Sequence, residues 1–504
     1  MATIQAGAGD APSKLFRGYD GIVRGMLNES AVTGRSDDQG GGRTVVNIQV
    51  CESASKLAKA LEIDASLSVS YLKALNLTAK MNFMKKLNAT ARSVSIVVYA
   101  CHETGSSTAS NVKLKDDVKA PTNDDEAADF VAVYGDSYVS EATQGGEYYA
   151  VYTFHTETEK QQQELKAELD AKGVISSVTV KAEAQTKLSD FLKTTTTSWT
   201  FDQEVTGLRN PSLPDQDKLV QFAIEFSKTE PTAAVITGFK VSGYEGVQGI
   251  VRRKFLKIVD NRDHFLGDDG VLQSLSRLTG IKNQISWLKR IYRRYKYEGD
   301  KKLETFEGLV EADLGAINKQ VTAYKRDPAA DFAMPPLPSL KQGEPVLTYA
   351  VGQTQSFGGE GAGNFNFMAV GEAFRNQVKI ASIRLADGEN VVKRIEIGYA
   401  SDKSTWTVVQ GAADGIGREL FILEDDHFPK KFRINHGTYV DRIELHLDDG
   451  RSTFAGGSGG GLTEWTVPEG SVVLGFAGRA GAKLDQLKII HAALKPAEYR
   501  TPLR

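Results

Sequence analysis

Two stretches in the first half of the chain alternate between apolar and polar side chains. From Leu61 to Phe83 the odd positions read Leu61, Ile63, Ala65, Leu67, Val69 and Tyr71, break at Lys73, and resume as Leu75, Leu77, Ala79, Met81 and Phe83. Between them stand Glu62, Asp64, Ser66, Ser68 and Ser70, then Asn76, Thr78, Lys80 and Asn82. In the second stretch Leu165, Ala167, Leu169 and Ala171 alternate with Lys166, Glu168, Asp170 and Lys172. Past Gly173, Val178, Val180, Ala182, Ala184 and Leu188 alternate with Thr179, Lys181, Glu183, Gln185 and Lys187. A period of two predicts two-faced strands, and each arm suits the roughly 9–11 residues of a tilted transmembrane strand. The same stretches are rich in Ala, Leu, Lys, Glu and Gln, and Leu57/Leu61 and Leu165/Leu169 stand four apart, which suits a helix. Residues 53–93 and 157–193 can therefore satisfy either period.

Helical spacing without alternation follows at Ile285, Leu288, Ile291, Tyr292 and Tyr295, and again at Leu303, Phe306, Val310, Leu314, Ile317 and Val321. It predicts two amphipathic helices closing a first domain. Five of the 14 prolines (Pro328, Pro335, Pro336, Pro338, Pro345) then fall in one short run, which marks a boundary. Beyond it, short alternating segments such as VKIASIRL, VVKRIEIGY and YVDRIELHL lie between glycine-rich turns, an all-β pattern. The expected organisation is α+β: a domain over 1–327, a linker over 328–345 and an all-β domain over 346–504.

Composition narrows the class. With 504 residues, 41% hydrophobic and 25% charged, the chain can bury two or three cores without staples. A net charge of -3 gives no overall attraction to nucleic acid. No basic-then-apolar leader opens the sequence, and the longest near-apolar run, Val94 to Cys101, falls well short of the roughly 18 residues of a membrane helix. The expectation is a water-soluble protein released without an ordinary signal peptide, which could span a bilayer only as a closed barrel after changing conformation. Cys51 and Cys101 are expected as free thiols, although both end β-rich runs that could bring them side by side. The seven histidines are scattered, and no metal-ligand spacing, phosphate loop or catalytic constellation occurs, so neither cofactor, metal nor enzyme activity is expected.

Two motifs carry family resemblances. Tyr134 to Gly146 reads YGDSYVSEATQGG and resembles the membrane-attack-complex/perforin (MACPF) signature: Tyr134, Gly135, Tyr138, Gly145 and Gly146 match at full spacing, while Asp136 stands where Thr is usual and Ser137 where His is usual. In that family two helical clusters flank a bent, twisted antiparallel sheet and unfurl into hairpins that line a large pore. The resemblance implies that 53–93 and 157–193 are those segments, with Leu61, Ile63, Leu67, Val69, Leu75, Leu77, Leu165, Leu169, Val178, Val180, Ala182 and Ala184 facing lipid. It implies a homo-oligomer on the target bilayer formed from a monomer in solution. Several bacterial members of that family kill insects.

The second resemblance runs through SFGGEGAGNFNF (from Ser356), HGTYVDRIELHLDDGRSTFAGGSGGG (from His436) and VLGFAGRAGAKLD (from Val473), and is to the jacalin-related β-prism lectins. It implies a sugar site closed by Gly481, Ala482, Lys483, Leu484 and Asp485 beside Gly358, Gly359 and Gly361. A carboxylate that accepts, next to backbone N–H groups that donate, can bind two vicinal hydroxyls. Some members carry a second such loop, but the corresponding stretch here, Asp387 to Lys393, does not end in Asp, so one site is expected. Together the two resemblances imply a pore-forming toxin that docks on target-cell glycans; the alternative is a non-lytic adhesion protein of the same fold.

Overall fold

The computed structural model describes residues 3–4, 14–22, 25–40, 42–51, 56–57, 60–61, 83, 93–155, 159–171, 183–194, 199–267, 269–367, 370–401, 405–424 and 426–500. They form two compact units: Met1–Gly280 with Leu309–Lys341, and Ile281–Gly308 with Gln342–Leu503. The two expected amphipathic helices are present as Val271–Arg294 and Lys301–Arg326, and the division shares them between the units. Among the described residues no helix is long and apolar enough to cross a membrane.

The first unit is built on a nine-stranded antiparallel sheet whose main members are β1 (Val32–Gly40), β2 (Thr44–Cys51), β3 (Ser93–Leu114), β4 (Ser137–His155), β5 (Trp199–Thr206) and β6 (Val235–Gly243). The two longest, β3 and β4, pair with each other, and each exchanges one long outer partner for another along its length. Strand β4 pairs with β6 as far as Gly145 and with β5 from Glu147 onward. Strand β3 pairs with β2 up to His102 and with β1 from Gly105, and its ladder with β4 is interrupted between Glu103 and Gly105. The exchange of partners thus falls at Gly145-Gly146 on both strands. A β-carbon on Gly145 would lie 2.1 Å from the carbonyl oxygen of His102, and one on Gly146 would lie 2.9 Å from that of Thr206, so backbones meet there at a distance only glycine allows.

Both faces of this ladder are covered. Val94, Ile96, Val98 and Ala100, with Tyr148, Ala150, Tyr152 and Phe154, form one face, against which Leu165, Leu169, Leu188 and Phe191 are buried. The intervening residues Val97, Tyr99, Cys101, Tyr149 and Val151 form the other, against Leu57, Ala60, Leu61 and Phe83. Of the two periods open to residues 157–193, the helical one governs the described part. After α1 (Asp124–Tyr134) come α2 (Glu159–Ala171) and α3 (Glu183–Thr194), whose buried positions stand four apart at Leu165/Leu169 and three apart at Leu188/Phe191. The reason is the sheet face: a helix satisfies its own backbone while one stripe packs on that face, and each fully buried Leu or Phe stabilises by roughly 1.5–3 kcal/mol. Of the residues expected to face lipid, Leu61, Leu165 and Leu169 are buried here, and Ala184 is half-buried against the first cluster. Ile63, Leu67, Val69, Leu75, Leu77, Val178, Val180 and Ala182 lie outside the described residues.

Cys51 and Cys101 are both buried and form no disulfide with each other. They do not lie side by side, because Cys51 is opposite Ser95 and Cys101 opposite Val45, six residues further along the same pair of strands.

The second unit carries three small antiparallel sheets, each built around one hairpin: β7 (Lys379–Gly388) with β8 (Val391–Ala400), β9 (Pro429–His436) with β10 (Val440–Leu447), and β11 (Ser471–Ala480) with β12 (Leu484–Arg500). Alternate residues such as Ile395/Ile397, Ile443/Leu445 and Leu487/Ile489 are buried. All three hairpins carry a register shift just before the turn, at Ala386/Asp387, Asn435/His436 and Arg479/Ala480. The helix ends within this unit are tied to it by Tyr292 and Tyr295. The Tyr292 hydroxyl donates to Asp300 Oδ2 (3.2 Å), which also accepts from the Ala497 N–H (2.7 Å), and the Tyr295 hydroxyl donates to the carbonyls of Ala373 and Val378.

Candidate functional site

The β11–β12 hairpin ends in Gly481, Ala482 and Lys483, and the Gly481 N–H donates to the Lys483 carbonyl (3.0 Å), closing a tight turn. Gly481 and Ala482 are exposed, Lys483 is partly exposed, and Leu484 is wholly buried, so Leu484 serves the core with its side chain and the site only with its backbone. Asp485 follows on β12.

A second loop is laid against it. Gly358, at φ +104°, pairs with Gln486, the Gly359 N–H donates to the Asp485 carbonyl (2.9 Å), and Gln486 Nε2 donates to the Gly359 carbonyl (3.3 Å). A β-carbon on Gly358 would lie 2.1 Å from the Asp485 carbonyl oxygen, so both its φ and its surroundings require glycine. One on Gly361 would lie 2.2 Å from Asp485 Oδ1, which puts the carboxylate directly under the bare Gly361 backbone. Gly358, Gly359, Gly361, Gly481 and Asp485, five widely separated or singly informative positions in the sequence, are thereby brought together.

Asp485 is 92% buried as a residue yet, among the described residues, its carboxylate makes no hydrogen bond or ion pair, whereas buried acids ordinarily have partners. Around it, Lys483 Nζ pairs with Glu389 (3.0 Å) and lies 4.9 Å from the Tyr439 ring centroid. That pairing, joined by one with Lys393, holds the Glu389 carboxyl below its usual range. The chemistry on offer is recognition of hydroxyls by one carboxylate and adjacent backbone.

Sequence reasoning missed His436, whose Nδ1 accepts from the Gly358 N–H (3.3 Å) and whose Nε2 lies 3.0 Å from Thr463 Oγ1, so the ring fixes the glycine loop from a different hairpin. No spacing rule links residues 78 positions apart. It also missed a grouping of His427 with Asp448 and Asp449, whose ligating atoms lie within 4.8 Å of one another. Those acids already accept from the Phe428 N–H and from Arg451, which makes the group an ion-pair network.

The MACPF-like motif belongs to the first unit. Gly135, at φ +81°, ends α1, and a β-carbon there would lie 2.2 Å from the Tyr19 carbonyl oxygen. Tyr138 is buried with its ring 5.7 Å from Tyr244, and Tyr134 is half-buried and accepts from the Tyr244 hydroxyl at its carbonyl (2.9 Å). At the position usually Thr, Asp136 is buried beside Asp20; burial first and the Asp20 charge second push its carboxyl up to about 7. Ser137 Oγ (2.6 Å) and the Gly21 N–H (3.3 Å) donate to it.

Residues 354–490, within the C-terminal all-β region, match the family model of the jacalin-like lectin domain. Among solved structures, wild-type Malaysian banana lectin is 21% identical, covering 29% of this chain and 99% of its own, with a TM-score of 0.24. AcmJRL, a mannose-binding jacalin-related lectin from Ananas comosus, is 14% identical over 29% of this chain and 98% of its own (TM-score 0.25). Artocarpin complexed with Me-alpha-mannose is 17% identical over 28% and 95% (TM-score 0.24). No curated protein matches the chain.

Proposed function

We propose that the chain is a pore-forming protein of the MACPF type that docks on target-cell glycans through its jacalin-like domain, oligomerises on the bilayer and inserts amphipathic hairpins as a β-barrel, without catalysis. The observation that carries the docking half is the carboxylate of the largely buried Asp485, which among the described residues makes no hydrogen bond and is roofed by Gly361. A sugar's vicinal hydroxyls supply the donors such a carboxylate lacks. The names of similar lectins, one mannose-binding and one crystallised with a mannoside, make mannose-type glycans the first to test.

For the pore half, support comes from the first unit. The glycine pair of the signature sits where both long strands exchange partners, and the two segments with dual periodicity bury apolar residues on opposite faces of that ladder. Release of those segments would free strands of a length fit for a membrane. The bacterial insecticidal members of the resembled family make an insect cell the proposed target, reached after release of the protein from the cell that makes it.

One experiment separates the halves. Asp485→Ala should weaken binding to immobilised mannan by roughly 1–3 kcal/mol with the fold intact, and should reduce dye release from glycan-bearing vesicles in proportion. Unchanged binding removes the assigned site. Binding without any release by the wild-type chain favours the adhesion reading.

A further inference from the structure

We infer that the second unit binds an organic phosphate in a cavity of about 180 Å³ at the end of its three sheets away from the turn that carries Asp485. The cavity is walled by the turn Tyr295–Tyr297 that follows the helix Val271–Arg294, by Phe428 and Lys430 around the start of β9, and by Ser471 at the start of β11. The glycine loop beside Asp485 packs instead at the far ends of the same two strands, against His436 and beyond Ala480. A ten-residue strand, roughly 30 Å, separates the two places.

One wall is set by how the helix stops. The Tyr297 N–H donates to the Tyr292 carbonyl (2.8 Å) and the Lys296 N–H to that of Arg293 (3.2 Å), the paired bonds of a Schellman turn. The left-handed residue of such a turn is ordinarily glycine, yet here it is Lys296, at φ +53°. A side chain in that region is strained, and strain of this kind gathers at ligand sites. The turn brings Lys296 Nζ to 6.0 Å from the centroid of the Phe428 ring, and Lys379 Nζ lies 5.6 Å from the same centroid. Two ammonium groups therefore stand around one ring of the cavity wall.

The polar side chains of the lining are donors in excess. Lys296 and Lys430 are exposed, and among the described residues neither ammonium makes a hydrogen bond or an ion pair. The same holds for the hydroxyls of the half-buried Tyr297 and Ser471. The carboxylate in the lining, Asp448, is already engaged: its Oδ1 accepts from the Phe428 N–H (3.2 Å) and lies 3.0 Å from His427 Nδ1. A cavity that offers donors and positive charge and keeps its own acid occupied selects an anion.

Two ammonium groups and two hydroxyls match a phosphate monoester, which carries about −1.5 to −2 charge at pH 7 and three acceptor oxygens. A carboxylate brings a single charge and two oxygens. The rings of Tyr295 and Phe428 give the rest of the molecule an apolar wall, and the volume far exceeds the roughly 10–15 Å³ that one water requires. A phospholipid headgroup and a soluble phosphate ester share this chemistry. The site goes beyond glycan docking and does not depend on it.

The test titrates the full-length chain calorimetrically with phenyl phosphate, inorganic phosphate and uncharged benzyl alcohol. Phenyl phosphate should bind once per chain, more tightly than inorganic phosphate, and benzyl alcohol should not bind. Lys296→Gln and Lys430→Gln should each weaken phenyl phosphate about 10-fold or more, and the double variant should abolish it. Lys228→Gln, an exposed lysine of the first unit, should leave binding unchanged, and so should Asp485→Ala. Because both cavity lysines are exposed, thermal melts of their variants should match the wild type. No binding of phenyl phosphate, binding indifferent to both lysines, or an equal loss in Lys228→Gln would overturn the site. Flotation with phosphatidylcholine vesicles, with and without phosphatidic acid, identifies the source. Co-flotation that needs phosphatidic acid and is lost in the double variant assigns the site to a lipid headgroup, whereas phenyl phosphate binding without co-flotation assigns it to a soluble ester.

Discussion

Replacing Gly361 by alanine tests the docking site through sterics alone. The new methyl would lie 2.2 Å from Asp485 Oδ1 and 2.8 Å from its Cγ, well inside the roughly 3.5 Å at which nonbonded heavy atoms attract. Because the contacted group is a side chain on a partly open rim, the carboxylate yields, retreating by about 1 Å, and the fold is kept. A carboxylate so displaced forfeits at least one charge-assisted hydrogen bond to the sugar, about 1.5–3 kcal/mol, or about 10- to 150-fold in affinity. Gly363 is the internal control, since a β-carbon there meets nothing within 4 Å. Isothermal titration of the full chain with mannan-derived oligosaccharides should show the loss in Gly361→Ala and near-wild-type affinity in Gly363→Ala. Equal affinity for both variants, or an equal loss, would refute the assignment of the Asp485 cradle as the binding surface.

Two further outcomes concern the first unit. Leu169→Ala empties a fully buried position between α2 and the sheet, so it should destabilise the soluble state by about 2–5 kcal/mol, and because an inserted hairpin does not use that pocket, vesicle leakage should start at a lower temperature; unchanged leakage in a demonstrably less stable variant argues that α2 never leaves the sheet. Asp136 has a folded-state pKa raised to about 7 from an ordinary 3.8, so its neutral form belongs to the native state: stability is full below about pH 4 and falls as the pH rises towards 7. Thermal melts of the wild type should therefore drop between about pH 4 and 7 while those of Asp136→Asn stay flatter, and parallel curves would show that the Asp20–Asp136 pair does not govern the loss.

Much of the architecture was legible because it follows from short-range rules. The all-β pattern of the last third, the helices around Ile285 and Val310, and the glycine-aspartate spacing at Gly481 to Asp485 are written in neighbouring residues, where period and turn chemistry operate. Residues 157–193 mark the limit of that reading. Their composition satisfies both a period of two and a period near 3.6, and local propensity cannot choose between them. The choice came from the sheet face presented by Val94, Ile96, Tyr148 and Tyr152, which rewards Leu165 and Leu169 for standing on one side of a helix. On the reading proposed above, a bilayer would instead reward the period of two in the same residues. Sequence alone thus determined which segments are amphipathic and which turns need glycine; tertiary structure decided which face each segment buries and that His436 braces a loop 78 residues away. Those decisions depend on surfaces assembled from distant parts of the chain, and no local pattern encodes them.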